Sequence, residues 1–404
     1  MKALIFKGPG SIALETVDDP HIQNETDVIV QLTTSAICGT DLHIIRGTIP
    51  GVLPGTILGH EGVGIIESLG SRVQNFAIGD RVIIPSTVGC GVCDYCKQEI
   101  YAQCDVSNSK GADAGTVFFG GPVTADSLAG MQAEKVRVPY ADANLIKIPD
   151  GVTDQQAILL SDILPTAYMA VELADISEHD SVAVFGCGPV GQLVIACLKQ
   201  RGVEKIFAID AVPSRLHMAQ KQGAQIINFD IQDPVKTLKN MTDDKGPTKI
   251  IDAVGIDAEQ PKESFIGFFK NFNKRRMFKK EVSAVAPITN IFGKNWIPGN
   301  GPSQVLQWAV EAVAKAGTIS IIGVYTELLN TFPIGKAMGK NLTLRMGNCN
   351  HHKYIPYLLK LVQEGAFDLV PFITQTISLS TIVDAYKHFD RRDEGWLKVV
   401  IRLE

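Results

Sequence analysis

Cys90, Cys93, Cys96 and Cys104 stand within fifteen residues, separated by two, two and seven others. Four thiolates on so short a loop can close a tetrahedral site around one ion with no position left for water, the arrangement of structural zinc. Disulfides or an iron–sulfur cluster would use the same thiols; a reducing compartment disfavours the first, and the second lacks an electron-transfer context. Zinc is the expected occupant. A second set is dispersed: Cys38, His60 and Asp162 offer sulfur, nitrogen and oxygen to one ion and would leave a fourth position for water or substrate, as catalytic zinc requires. Spacing alone does not join them. Read singly, Cys38 is a buried apolar thiol, His60 a hydrogen-bonded core histidine and Asp162 a helix N-cap ahead of Leu164-Pro165-Thr166. A third signal is Gly186-Cys187-Gly188-Pro189-Val190-Gly191, with Asp210 nineteen residues beyond Gly191. Its glycines let the backbone approach a pyrophosphate at a helix N-terminus, and the acid can hold the adenosine ribose hydroxyls. Asp210 repels a 2′-phosphate and so favours NAD over NADP, with Arg215 a nearby cation of the opposite tendency.

These residues need elements to position them. From Asp27 to about Pro149 the pattern is short strands between turn glycines, at Val28 to Leu32, Gly62 to Glu67, Gly79 to Pro85 and Glu134 to Val138, which reads as a β-rich barrel. From Ser181 the rhythm becomes strand then helix: Ser181 to Phe185, a helix from about Pro189 to Arg201, Lys205 to Asp210, and a helix from about Pro213 to Gln222. Further strands at Ala224 to Phe229, Lys249 to Val254 and Thr318 to Val324 make this an α/β doubly wound parallel sheet. The glycine motif then falls between its first strand and first helix, as phosphate binding requires.

The expected domains are residues 1–160 with 344–404, carrying a zinc lobe at about 89–105, and residues 161–343, carrying an insertion at about 256–302. Within that insertion Lys270 to Lys280 is basic and aromatic, a solvated or subunit-contacting segment. At 404 residues the chain exceeds one ordinary core, and 45% hydrophobic with 20% charged residues suits a globular protein. The 38 basic residues against 43 acidic ones leave a net charge of −5, with no electrostatic footprint for nucleic acid or an anionic membrane. Its opening apolar run is shorter than a signal-peptide core, and no stretch reaches the ~18 apolar residues of a membrane span, which places it in the cytoplasm.

Taken together, Cys38-Gly39-Thr40-Asp41, Gly59-His60-Glu61-Gly62-Val63-Gly64, the four-cysteine lobe and Gly186 to Gly191 resemble the zinc-dependent alcohol dehydrogenases of the medium-chain dehydrogenase/reductase superfamily. The resemblance spans nearly the whole chain and implies a GroES-like catalytic domain beside a Rossmann NAD-binding domain. Ser161-Asp162-Ile163-Leu164-Pro165-Thr166-Ala167-Tyr168 is similar to the formaldehyde dehydrogenase branch, in which an aspartate replaces a cysteine ligand. It makes Asp162 the third ligand of the catalytic zinc beside Cys38 and His60, with Glu61 auxiliary and Cys90, Cys93, Cys96 and Cys104 holding the structural zinc.

The resemblance further implies two zinc ions per chain and NAD(H). Thr40 would take the alcohol proton and pass it through the cofactor ribose to His43 at the surface, while Asp41 orients His60. Thr166 would pack on the nicotinamide, the backbone from Ile322 to Val324 would bind its carboxamide, and Lys398 would approach the pyrophosphate. Gly39 stands where some relatives carry a basic pyrophosphate contact. The segment Asn108 to Gly130 departs from the family pattern and would shape the substrate entrance, and the insertion would cover the adenine end of the cofactor. The implied substrate is a small alcohol or aldehyde, formaldehyde included, and the implied assembly a homotetramer or homodimer. Alternatives are a polyol, butanediol or threonine-type zinc dehydrogenase, a zinc-free quinone or enone reductase, and a nucleotide-binding protein without turnover.

Overall fold

The computed structural model describes residues 1–108, 115–122, 128–262, 272–287 and 294–403. Parts of the Asn108 to Gly130 segment and of the Ile256 to Pro302 insertion lie outside the described residues, and with them the expected cover over the adenine. The chain divides into two units. The first runs from Met1 to Thr166 and takes in Trp296 with its described neighbours and the chain from Asn348 onward; the second holds the rest. The boundary falls after Thr166, so Ser161 and Asp162 belong to the β-rich unit and not to the parallel-sheet unit.

The first unit opens with β1 (Lys2–Gly8) and β2 (Ser11–Thr16), followed by β3 (Val28–Ile37), β4 (Gly62–Leu69), β5 (Arg81–Ile84), β6 (Lys135–Val138) and β7 (Ile146–Lys147). The second unit carries β8 (Ser181–Phe185), β9 (Lys205–Asp210), β10 (Gln225–Asn228), β11 (Lys249–Asp252), β12 (Thr318–Ile321) and β13 (Thr343–Met346). The chain then returns to the first unit with β14 (Gln375–Ser378) and β15 (Val399–Arg402).

The β-branched run Val28-Ile29-Val30 favours a strand, and β3 is the hub of the first unit: it pairs antiparallel with β4, β6 and β15. The sheet runs β14-β15-β3-β4-β5-β7. Two register shifts between β3 and β4 mark bulges, which increase twist and bend the sheet toward closure. Gly64 is required there, because a side chain would strike the Gln31 carbonyl oxygen across the ladder. Leu4, Phe6, Val30, Leu32, Val82, Tyr386 and Val399 pack beneath this sheet as one core.

A buried ion pair fixes the rim of this unit. Asp390 Oδ1 accepts from Arg46 Nε at 3.0 Å and Nη2 at 2.6 Å. Its Oδ2 accepts from the Trp296 backbone N–H at 2.7 Å and from Asn295 Nδ2 at 3.1 Å.

In the second unit the strand order β10-β9-β8-β11-β12-β13, all parallel, is that of a doubly wound sheet. Continuous apolar strands such as Ser181–Phe185 suit parallel strands covered on both faces. β11 stops at Asp252 and does not reach Val254, because Asp252 Oδ1 accepts from the Val254 and Gly255 N–H groups and turns the chain. The sixth strand, β13, was expected as part of the C-terminal tail; three of its four residues are exposed, so no apolar run announces it. Among the described residues no helix is long and apolar enough to cross a membrane.

Candidate active site

The dispersed ligand set assembles within the first unit. Cys38 caps the helix Gly39–Ile45, where its backbone N–H donates to Asp41 Oδ2 at 2.9 Å. His60 follows Gly59, whose φ of +95° and contact with Gln132 exclude a side chain. Asp162 sits in the break between the helices Asp154–Leu160 and Ile163–Leu173. Asp162 Oδ2 lies 3.5 Å from Cys38 Sγ and 3.4 Å from His60 Nε2. A tetrahedral zinc with bonds of ~2.0–2.3 Å separates its ligand atoms by roughly 3.3–3.8 Å, so these spacings fit one ion. Glu61 belongs to the same group, all of whose ligand atoms lie within 4.8 Å of one another.

The supporting contacts are specific. His60 Nδ1 faces Asp41 Oδ1 at 3.2 Å, and neither atom has a further hydrogen-bond partner among the described residues. Asp41 also accepts from Gln132 Nε2 at 3.2 Å, and Gln132 in turn accepts from the Tyr386 hydroxyl at 2.9 Å. Asp162 Oδ1, turned away from Cys38, accepts from His351 Nε2 at 2.8 Å. Burial would raise the Asp162 carboxyl, but hydrogen bonds from His351 and His60 hold it well below the usual range. His351 was not among the expected site residues; it lies far along the chain, in a segment without a chemical motif.

Two expected roles are corrected. Lys398 does not reach toward a pyrophosphate: it is 0% exposed, and its Nζ donates to both Glu61 oxygens at 2.6 Å and to the Ile37 carbonyl at 3.2 Å. Burial would lower the Lys398 ammonium, but the charges of Glu61 and Cys38 raise it and keep it protonated. His43 is not at the surface: it is buried, with Nδ1 3.0 Å from Thr48 Oγ1, because it lies one turn after Thr40 on the inward face of its helix. Thr40 is half-buried, its hydroxyl 3.9 Å from Cys38 Sγ. The Thr166 hydroxyl donates to Asp162 Oδ1 at 3.3 Å.

The four cysteines converge in a separate lobe, with their sulfurs also within 4.8 Å of one another and Cys93 3.8 Å from Cys104. Backbone N–H groups of Val92 and Cys93 point at Cys90 Sγ, and that of Cys96 at Cys93 Sγ. Burial would raise the Cys104 thiol, but donors from Ser107, Cys90 and Val106 bring it down to about 6, so it ionises readily. This lobe fits a four-thiolate ion.

In the second unit, Gly186 (φ +89°) turns the chain out of β8, Gly188 caps the helix Pro189–Gln200, and Pro189 takes its first position, followed by Val190. A side chain on Gly191 would overlap the Gly186 carbonyl, so the turn is a cradle only glycine permits. Asp210 ends β9 beside it, accepting from Cys187 N–H at 2.8 Å. Gln192, absent from the expected set, donates to the carbonyls of Cys187 and Arg215 and ties the turn to the next helix. The Ile322 and Gly323 N–H groups are taken by the Asp252 carbonyl, while Val324 accepts from Ile256 N–H. The cradle and its acid fit a dinucleotide.

Residues 24–150 match the alcohol dehydrogenase GroES-like domain, and residues 189–262 the zinc-binding dehydrogenase domain. An uncharacterized zinc-type alcohol dehydrogenase-like protein of Bacillus subtilis (strain 168), AdhB, is 34% identical over 406 residues, covering 100% of each chain. The chain belongs to the zinc-type alcohol dehydrogenase family. Like other members of the medium-chain superfamily it is an oxidoreductase of small molecules. Among solved structures, the alcohol dehydrogenase TADH of Thermus sp. ATN1 has the same architecture, with a TM-score of 0.80 at 32% identity over 100% of both chains. A glutathione-independent formaldehyde dehydrogenase of Pseudomonas aeruginosa (strain LESB58) is 29% identical over 98% of this chain and 95% of its own.

Proposed function

We propose that this zinc-type dehydrogenase is NAD-dependent and transfers a hydride between a small alcohol and its aldehyde, formaldehyde among them. The observation that carries the reading is the Cys38–His60–Asp162 cluster, which leaves one side of a tetrahedral site for a substrate oxygen. Zinc held there would supply Lewis acidity to that oxygen, and a nicotinamide cofactor held by the glycine turn and Asp210 would supply the hydride acceptor. Asp41 orients His60 so that Nε2 faces the metal position. Thr40 takes the alcohol proton, and His43 lies one turn along on the same helix as the next group able to hold it. Glu61 stands by as an auxiliary ligand, its charge balanced by Lys398. A second zinc in the four-cysteine lobe brings the count to two per chain.

The test is NADH formation by zinc-loaded protein across short alcohols, polyols, threonine, and formaldehyde with and without glutathione, alongside metal analysis. Two zinc ions per chain and turnover of alcohols or formaldehyde are expected; two zinc ions with turnover of polyols or threonine alone would move the substrate class. In the same assay Asp210→Ala should lower kcat/KM for NAD by about tenfold to a hundredfold, the value of hydrogen bonds to a charged group, and NADP should lose far less. Equal losses with both cofactors would remove Asp210 from the ribose.

The chain is further proposed to assemble into dimers or tetramers through its second unit. Among the described residues β13 is the last strand of its sheet, with Thr343 and Met346 exposed, and Ile334 and Met338 are exposed as well. Light scattering should return two or four chains, and Met346→Lys should lower that number; a monomeric wild type would refute the assembly.

A further inference from the structure

Three consecutive residues at the start of the helix His351–Gln363 reach two different sites. Asn350 Oδ1 accepts from the Ala102 N–H at 3.0 Å, two residues before Cys104. His352 Nε2 donates to Asn144 Oδ1 at 2.7 Å, and Asn144 grips both backbone groups of Gly89, the residue before Cys90, at 2.9 and 2.8 Å. The His352 ring also stacks on Tyr101 with centroids 4.5 Å apart, and Tyr101 packs on the cysteine cluster. Between them His351 donates to Asp162 and sits 3.1 Å from Thr87, three residues before Cys90. His351 and His352 are both nearly inaccessible to solvent.

We propose that Asn350-His351-His352 is a link between the four-cysteine lobe and the Asp162 carboxylate, so that metal in the lobe determines how firmly the Cys38–His60–Asp162 site holds its own metal. The inference rests on the metal reading given above. The three side chains share one backbone turn that Asn350 anchors to the lobe, so a shift of that turn carries His351 and His352 with it. The lobe segment from Gly89 to Cys104 is held in shape by its sulfurs meeting on one ion. Release of that ion frees Ala102, Tyr101 and Gly89, and with them the partners of Asn350 and His352. His351 then loses its fixed position, and the Asp162 carboxylate, no longer anchored through Oδ1, is free to turn Oδ2 away from Cys38 and His60. His351 is thus a positioning residue acting through Asp162.

The test uses the full chain with zinc in the lobe and cobalt(II) in the Cys38 site, following the cobalt visible band and the rate at which a chelator removes it. Asn350→Ala/His352→Phe cuts the link while keeping an aromatic ring on Tyr101, and Cys93→Ser empties the lobe. Both are expected to release cobalt about tenfold faster or more and to shift its band, and the double variant is expected to keep its lobe zinc. His351→Ala should reproduce the faster release. A double variant that melts like wild type and keeps both the wild-type band and release rate overturns the link. A wild type that takes up no cobalt at Cys38 would instead refute the metal reading itself.

Discussion

Asp162→Ala is expected to lower kcat/KM by about a thousandfold or more, the kinetic equivalent of roughly 4 kcal/mol of transition-state stabilisation. Cys38, His60 and Asp162 converge on the proposed metal position, and the loss of Asp162 leaves Cys38 and His60 with only the Lys398-paired Glu61 to help hold an ion. Metal analysis should show one zinc lost and the lobe zinc retained, which separates a ligand from a residue that only supports the fold. Asp162→Cys should regain the metal and only part of the turnover, since a thiolate gives His351 a poorer hydrogen-bond acceptor than a carboxylate. A variant with full zinc and full turnover would remove Asp162 from the site.

The second large effect is on stability. Lys398→Ala should destabilise the protein by about 3–5 kcal/mol, because it leaves the Glu61 carboxylate buried without its counter-ion. Lys398→Met paired with Glu61→Gln removes both charges and should recover most of that loss in a denaturant titration. A pyrophosphate contact predicts the opposite pattern: a raised KM for NAD, nearly wild-type stability, and no rescue by Glu61→Gln.

What the sequence made legible follows from how local each signal is. The four cysteines and the glycine turn each lie, with the chain that shapes them, in one short stretch, so spacing and flanking strands were enough to bring each group together. Cys38, His60 and Asp162 were joined only by family resemblance, since four strands and four α-helices lie between the first and the last among the described residues. His351 and Lys398 were beyond local reading: their roles are set by partners 189 and 337 residues away. A lysine directly ahead of an apolar strand is a signal that an acid must face it if the fold buries it, but the local sequence does not say which acid. β13 escaped because an edge strand needs no apolar face.

Asp390 also bears on how this fold can be cut and recombined. Its carboxylate is satisfied by Arg46 from the N-terminal stretch and by Asn295 and Trp296 from the middle of the chain. The first unit is therefore drawn from three separate stretches of sequence, and residues 167–347 are not a self-contained cassette. A chimera that grafts a relative's nucleotide-binding half between Thr166 and Asn348 would import whatever that relative carries at positions 295 and 296. Unless the graft kept a side-chain donor at 295 and the backbone path that brings the N–H of 296 to it, Oδ2 of Asp390 would lose both its partners in the host's interior, with Arg46 left to hold Oδ1 alone.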